Sequence, residues 1–152
     1  MNLIQEAPRL GRAVWIDYIG RGLLKSGELQ QLINQRISGM TSNPTIFEKA
    51  IVGSTGYDKA LLASAQANKS VEETCEALTM EDICVAADLL RPTYDRSGGP
   101  GRLRLPRGQP ATAGIDMASV TAKLLTDGVK AFVNSFEELL AGIQEKRTRL
   151  LT

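Results

Sequence analysis

Between Asp95 and Asp116 the chain carries no acidic residue. Within that interval Ser97 to Ala113 reads SGGPGRLRLPRGQPATA, with four glycines, three arginines and three of the chain's six prolines in 17 residues. No other feature limits the fold as strongly. Proline removes a backbone donor and breaks a helix interior, and prolines at this spacing interrupt a β ladder. The stretch therefore reads as a loop or linker. It divides the 152-residue chain into an N-terminal part, 1–97, an irregular junction, 98–113, and a C-terminal part, 114–152. A basic phosphate-binding loop on Arg102, Arg104 and Arg107 is the functional alternative, but no strand–helix context flanks it.

Over the whole chain the composition is that of an ordinary globular domain, 43% apolar and 23% charged. Eighteen basic and 17 acidic side chains leave a formal net charge of +1, so no general field attracts nucleic acid or an anionic membrane. No apolar run approaches the ~20 residues of a membrane span, and no basic-then-apolar leader opens the chain. Cytoplasmic residence is the expectation. The chain has no histidine, which excludes Ser-His-Asp and Cys-His catalysis and leaves carboxylates, lysine, tyrosine or water for acid–base work. Without histidine partners, Cys75 and Cys84 read as buried, reduced thiols rather than zinc ligands.

Ala13 to Ile19 forms an apolar, β-branched run interrupted by Asp17, the pattern of a short buried strand. Gly20 and Gly22 follow, then Leu23, Leu24, Leu29, Leu32 and Ile33 at helical spacing. Ile37 to Thr41 is a second strand, ended by Ser42-Asn43-Pro44. From Thr45 the pattern is helical: Phe47, Ala50 and Ile51 form one face, and Tyr57, Leu61, Leu62 and Ala65 another. Ser70 with Glu73 has capping-box spacing. Thr79 with Asp82 signals a further helix carrying Ile83, Ala86, Ala87 and Leu90, stopped by Pro92. Beyond the junction, Asp116 can cap a helix through Val120, Lys123, Leu124 and Leu125 that ends near Gly128. A last helix then places Val129, Phe132, Val133, Phe136, Leu139, Leu140 and Ile143 on one face, with Lys130, Glu137 and Glu138 opposite. Lys146, Arg147 and Arg149 sit at its C-terminal end, where the macrodipole favours cations.

Asp17 is the first candidate for chemistry, because a carboxylate inside an apolar strand is costly unless paired or hydrogen-bonded. The alternative is an edge strand with Asp17 facing water. Asn43 offers an amide donor and acceptor, although Ser-Asn-Pro is also an ordinary turn. Thr41 and Ser42 add hydroxyls on the same segment. A lysine could form a Schiff base with a ketose carbonyl, and seven are present: Lys25, Lys49, Lys59, Lys69, Lys123, Lys130 and Lys146. All fall in polar or helical surroundings typical of solvated faces, and none lies in an apolar strand that would lower its pKa.

Gly39-Met40-Thr41-Ser42-Asn43-Pro44-Thr45 fits the first signature of the transaldolase family, Met40 being bulkier than usual there. Trp15-Ile16-Asp17-Tyr18, Leu24 to Leu29, Glu81-Asp82-Ile83, Ala86 to Pro92 and Tyr94-Asp95-Arg96 continue the likeness, as does Asp127-Gly128-Val129-Lys130 through Arg147. On these residues the chain resembles bacterial transaldolase, the type found alone or fused to a glucose-6-phosphate isomerase module, over 10–97 and 114–147. The resemblance implies an α/β fold of the (β/α)8 TIM-barrel kind. Such a barrel typically takes about 250 residues, so the expectation is an incomplete (β/α)8 TIM-barrel fragment, mostly helical with about two strands.

The implied reaction moves a dihydroxyacetone unit from a ketose phosphate to an aldose phosphate through a lysine Schiff base, in the pentose phosphate pathway. It uses no metal or organic cofactor. By resemblance Asp17 is the strand-one aspartate of proton transfer, Asn43 holds the Schiff-base intermediate, and Thr41 and Ser42 line the same strand end. The family's third-strand glutamate, its Schiff-base lysine and its serine and arginine phosphate ligands have no counterparts. Where Pro110-Ala111-Thr112 echoes the lysine strand, Gly108 stands in the lysine's place. The chain is therefore expected to bind sugar phosphates only by descent and to be inactive as it stands. The odd junction suggests out-of-frame coding or a faulty join. The alternative is a helical interaction module, or a fragment completed by a partner chain. Loss of the inner barrel strands is expected to leave apolar helix faces such as Leu61/Leu62 and Phe132/Phe136 without partners and to promote self-association.

Overall fold

In the computed structural model of the chain, residues 3–97 and 117–152 are described. A short helix α1 (Leu3–Glu6) and a 3-10 turn (Ala7–Leu10) lead to strand β1 (Trp15–Ile16). Helices α2 (Arg21–Lys25) and α3 (Glu28–Asn34) form the crossover to β2 (Gly39–Met40). The strands pair in parallel, Trp15 beside Gly39 and Ile16 beside Met40. Both are shorter than their apolar runs, because among the described residues each strand has one neighbour to pair with. The ladder extends one step each way: Ser38 N–H donates to the Val14 carbonyl and Thr41 N–H to the Ile16 carbonyl, both at 2.8 Å. A parallel pair requires a crossover of this kind, and α2 and α3 supply it. Gly27, at φ +81, breaks the apolar face between them in a conformation that disfavours other residues.

After β2 come α4 (Pro44–Val52), a 3-10 turn (Thr55–Tyr57), α5 (Asp58–Gln66), α6 (Val71–Ser97) and α7 (Met117–Leu151). The capping box at the start of α6 is present: Ser70 N–H donates to Glu73 Oε2 at 2.8 Å, and Glu73 N–H to Ser70 Oγ at 3.1 Å. The expected second start at Thr79 and Asp82 is not. There α6 runs on unbroken, Thr79 Oγ1 donates back to the Cys75 carbonyl at 2.9 Å, and Asp82 turns into the core. Pro92 does not stop the helix either. Cys75, Leu78, Asp82 and Ala86 form one buried stripe, continued by half-buried Leu89 and Leu90. That stripe holds the turn before Pro92 against a penalty of ~3 kcal/mol for an interior proline.

Likewise α7 passes through Gly128, which was expected to separate two helices. Nothing crowds that glycine, and its cost in a helix is only ~1 kcal/mol. Asp116 and the junction at 98–113 lie outside the described residues.

The core joins the two halves of the chain. Ile19, Leu23, Leu29 and Ile33 meet Phe47, Ala50 and Ile51, which pack with Leu61, Leu78, Leu139 and Ile143. The second half of α7 runs parallel to α4. At Gly142 a Cβ would lie 2.8 Å from Val52 Cγ2, so a glycine here lets the helices approach closely. Leu61, expected to lose its partners, is fully buried, and Leu62 is half-buried. Phe132 and Phe136 do stay exposed, at 57% and 42%. Of the two free cysteines, Cys75 is buried, where desolvation pushes its thiol pKa up, but Cys84 is exposed rather than buried. No helix among the described residues is long and apolar enough to cross a membrane.

Candidate functional site

Parallel pairing places the residues that follow β1 and β2 side by side. Asp17 comes directly after Ile16 and Thr41 directly after Met40, and the Thr41 hydroxyl donates to Asp17 Oδ1. Thr41 Oγ1 also lies 3.4 Å from the Ile16 carbonyl, so backbone and side chain both tie β2 to β1 at this edge. Asp17 is exposed, which departs from the buried setting its apolar run suggested. The Thr41 hydroxyl is the partner of this exposed carboxylate.

Ser42 is exposed next to it. Asn43 is extended, at φ −157, and its Oδ1 accepts the Ile46 N–H at 2.9 Å as the N-cap of α4. Pro44 at the first helical position needs no N–H partner. Asn43 thus starts a helix whatever else it does, and the positive end of α4 faces the same edge. Thr45 Oγ1 donates to Ser135 Oγ at 3.0 Å, which brings α7 alongside. A carboxylate, two hydroxyls and an amide at one strand edge can accept a proton and bind a polyhydroxyl compound.

A Schiff base needs an amine as well. None of the seven lysines, all among the described residues, hydrogen-bonds or ion-pairs with Asp17, Thr41, Ser42 or Asn43. One of them departs from its expected setting. Lys146, read as a solvated helix-end cation, is 7% exposed. Its Nζ donates to the Ile51 carbonyl at 2.8 Å and to the Ser54 carbonyl, and pairs with Asp58 Oδ1 at 2.8 Å. Among the described residues that oxygen is buried with no hydrogen bond of its own, so the ammonium balances it. Lys146 therefore closes the C-terminal end of α4, whose last carbonyls lack helical partners. Arg147 likewise reaches the Lys69 carbonyl at 2.9 Å and Thr74 Oγ1 at 3.4 Å. Both cations anchor α7 to other elements, whereas the sequence pointed only to its own macrodipole.

A second polar cluster was not anticipated. Buried Arg21 donates through Nε to Asp82 Oδ1 at 3.3 Å and through Nη2 to Glu81 Oε2 at 2.5 Å. Its guanidinium sits 4.7 Å over the Tyr57 ring, and its backbone N–H donates to the Tyr57 hydroxyl at 3.1 Å. That hydroxyl donates to Asp82 Oδ2 at 2.5 Å. Burial holds the Asp82 carboxyl above its usual range, against the pull of Tyr57 and Arg21. Burial also raises the Tyr57 phenol, with the Asp82 charge adding to it. Every strong partner in this cluster is internal, so it clamps α2 to α6. The signal available in the sequence was Asp82 itself, a lone acid in the stripe Cys75, Leu78, Asp82, Ala86.

At the opposite end of β2 a cleft of about 650 Å³ is lined by Ile33, Asn34, Arg36, Ile37, Ser38, Thr93 and Arg96. The C-terminal turns of α6 thus return to the edge where β2 begins.

The Transaldolase/Fructose-6-phosphate aldolase family matches residues 14–105, which include both strands and α2 to α6. The chain is similar to the transaldolase of Trichodesmium erythraeum, 42% identical over 99 residues, which are 64% of this chain and 26% of that protein. It is similar to the transaldolase of Thermobifida fusca, 46% identical over 104 residues, which are 67% and 28% of the two chains. The transaldolase of Frankia alni is 42% identical over 106 residues, 68% and 29% of the two. The chain spans between a quarter and three tenths of the length of the curated relatives it matches.

Proposed function

The chain belongs to the transaldolase/fructose-6-phosphate aldolase family, and from that premise we propose that it carries the opening of a transaldolase barrel without the nucleophile of the family reaction. That reaction transfers a dihydroxyacetone unit from a ketose phosphate to an aldose phosphate in the pentose phosphate pathway. Its steps require an amine that condenses with the ketose carbonyl, expels water and withdraws electrons from the carbon–carbon bond that breaks. On this reading Asp17 is the proton-transfer carboxylate, positioned by Thr41, while Ser42 and Asn43 offer hydrogen bonds to the sugar. On the same reading the chain is an incomplete barrel fragment divided into 1–97, 98–113 and 114–152, resides in the cytoplasm and is inactive alone.

One observation carries the reading. The Asp17–Thr41 pair sits where two parallel strands end inside the family-matching segment, and no lysine joins it. A barrel cannot close on two strands, so exposed apolar helix faces and self-association are part of the same reading. The second reading, a helical interaction module or a piece completed by a partner chain, is favoured by the bare apolar face of α7.

The test is a borohydride trap. The purified chain is incubated with fructose 6-phosphate, reduced, and its intact mass recorded beside a full-length transaldolase. The expected result is an adduct on the full-length enzyme and none here. A stoichiometric adduct on this chain, mapped to one lysine, would overturn the proposal of inactivity.

A further inference from the structure

Trp15 is the chain's only tryptophan, and it lies 58% exposed on β1. Side chains alternate between the two faces of a strand, and this fixes where its ring stands. Ile16 and Met40 pack against the core, so Trp15 and Gly39, paired across the two strands, face the other way. A Cβ at Gly39 would meet three contiguous carbons of the Trp15 ring, Cδ2, Cε2 and Cε3, at 3.0, 3.1 and 3.1 Å. Contiguous ring atoms nearly equidistant from one point place that point over the flat side of the ring. One face of the indole therefore rests on the β2 backbone, and the missing side chain of Gly39 lets it lie there. The other face looks outward. Asp17 and Thr41, joined by their hydrogen bond, form the next pair on this same face of the sheet. Ring and carboxylate thus stand ~7 Å apart along the strand. Among the described residues the indole N–H has no hydrogen-bond partner, which leaves its one donor free.

We propose that the outer face of Trp15 is a stacking platform for a sugar whose hydroxyls reach Asp17 and Thr41. A sugar is amphipathic, with C–H groups gathered on one side and hydroxyls around the rim. The C–H side suits the negative face of an aromatic ring. The hydroxyls suit a carboxylate that accepts and a threonine hydroxyl that does both. Those two surfaces stand side by side here, an apolar plate and then a polar edge. Other occupants match less of this. A purely apolar partner would strip water from the Asp17 carboxylate without replacing it. A free anion would meet that carboxylate, and no lysine hydrogen-bonds or ion-pairs with this edge among the described residues. The site therefore reads the hydroxylated carbon chain and not a phosphate that the sugar carries. This deepens the proposed function and rests on its placing of a sugar at Asp17; Trp15 is the residue that orients that sugar.

With a single tryptophan, the emission of the chain comes from this ring alone. The full chain is titrated with fructose 6-phosphate through the millimolar range, with inorganic phosphate as the control. Emission is read together with saturation-transfer NMR of the sugar's C–H protons. The sugar should change the emission saturably and receive saturation on those protons, and phosphate should do neither. Trp15→Ala should weaken sugar binding about fivefold, the worth of a favourable aromatic contact, and Trp15→Phe should recover part of it. Gly39, whose φ is not positive, accepts an alanine backbone. Gly39→Ala should therefore act only by lifting the ring, and should weaken binding with the indole still present. Circular dichroism checks the fold of each variant, and the Gly39→Ala arm decides the question even if Trp15→Ala disturbs the strands. Sugar binding as tight in Trp15→Ala and Gly39→Ala as in wild type would overturn the proposal. So would no binding to the wild type, or an emission change that phosphate gives equally. Emission that shifts with protein concentration and not with sugar would overturn it too, since another chain then covers the ring. Binding that needs Asp17, by Asp17→Asn, and not Trp15 would sink the platform and spare the proposed function. A borohydride adduct would sink the proposed inactivity and spare the platform, because stacking is reversible and needs no amine.

Discussion

Removing the ammonium of Lys146 while keeping its stem tests whether this side chain holds the two halves of the chain together. Lys146→Met retains most of the apolar packing of a long unbranched side chain. It strips a partner from the carbonyls of Ile51 and Ser54, at the C-terminal end of α4, and leaves the buried Asp58 oxygen without its counter-charge. Two carbonyls losing a charged donor amount to about 2–3 kcal/mol, because hydrogen bonds to charged groups contribute ~1.5 kcal/mol or more, less the relief of reaching water. Orphaning a fully buried charge would add 3–5 kcal/mol. Asp58 is 28% exposed, so water takes up most of that. The expected loss is therefore ~3 kcal/mol. For a chain of this size that is a fall in Tm on the order of 6–12 °C. Asp58→Asn removes only the carboxylate charge and should lose less, about 1 kcal/mol, and the double variant should fall short of the sum because the two groups share one contact. Urea unfolding followed by circular dichroism measures all three. If Lys146→Met lies within ~0.5 kcal/mol of wild type, as surface substitutions do, Lys146 is a solvated cation and the account of the α4–α7 contact is wrong.

Gly142→Ala places a methyl 2.8 Å from Val52 Cγ2 and should lose about 1–3 kcal/mol in the same assay, with Val52→Ala restoring most of it. Failure of that rescue would locate the strain elsewhere. Asp82 has a folded pKa above its unfolded value, so its contribution is most favourable below an unfolded pKa of ~3.9 and is lost as pH rises through the folded value. The stability of wild type minus that of Asp82→Asn should therefore fall as pH rises from 4 through the raised pKa. A difference that climbs over that interval would mean that the Arg21 and Tyr57 hydrogen bonds outweigh burial.

Much of the local structure was legible because local chemistry decides it. Ser70 and Glu73 are three residues apart and cap one another wherever the helix lies. Asn43-Pro44 starts α4 because its cap and first turn need nothing distant. From their apolar runs Asp17 could be placed within one strand and Thr41 at the end of another. Their hydrogen bond could not, since it depends on which strands pair and in what register. The misses share one cause. Pro92 and Gly128 are local stop signals that packing overrides in one case and that the helix tolerates in the other. Lys146 carries no mark of burial, because its three partners lie 88 to 95 positions away. Arg21 is flanked by glycines and reads as a loop cation until α6 brings Asp82 and Glu81 to it.

The same Lys146 contact bears on how the chain reaches this state. Ile51 and Lys146 are 95 positions apart, and Leu139 and Ile143 fill a core begun by Ile19 and Leu23. On a ribosome adding ~5–20 residues per second, α4 exists for several seconds before the helix that covers it is made. Through that interval Phe47, Ala50 and Ile51 have no lid, and a nascent chain in this condition is a client for holding chaperones. Contacts of such separation also slow the search once synthesis ends, because the loop must close before any of them is rewarded. A helix made later is the one on which the earlier ones depend.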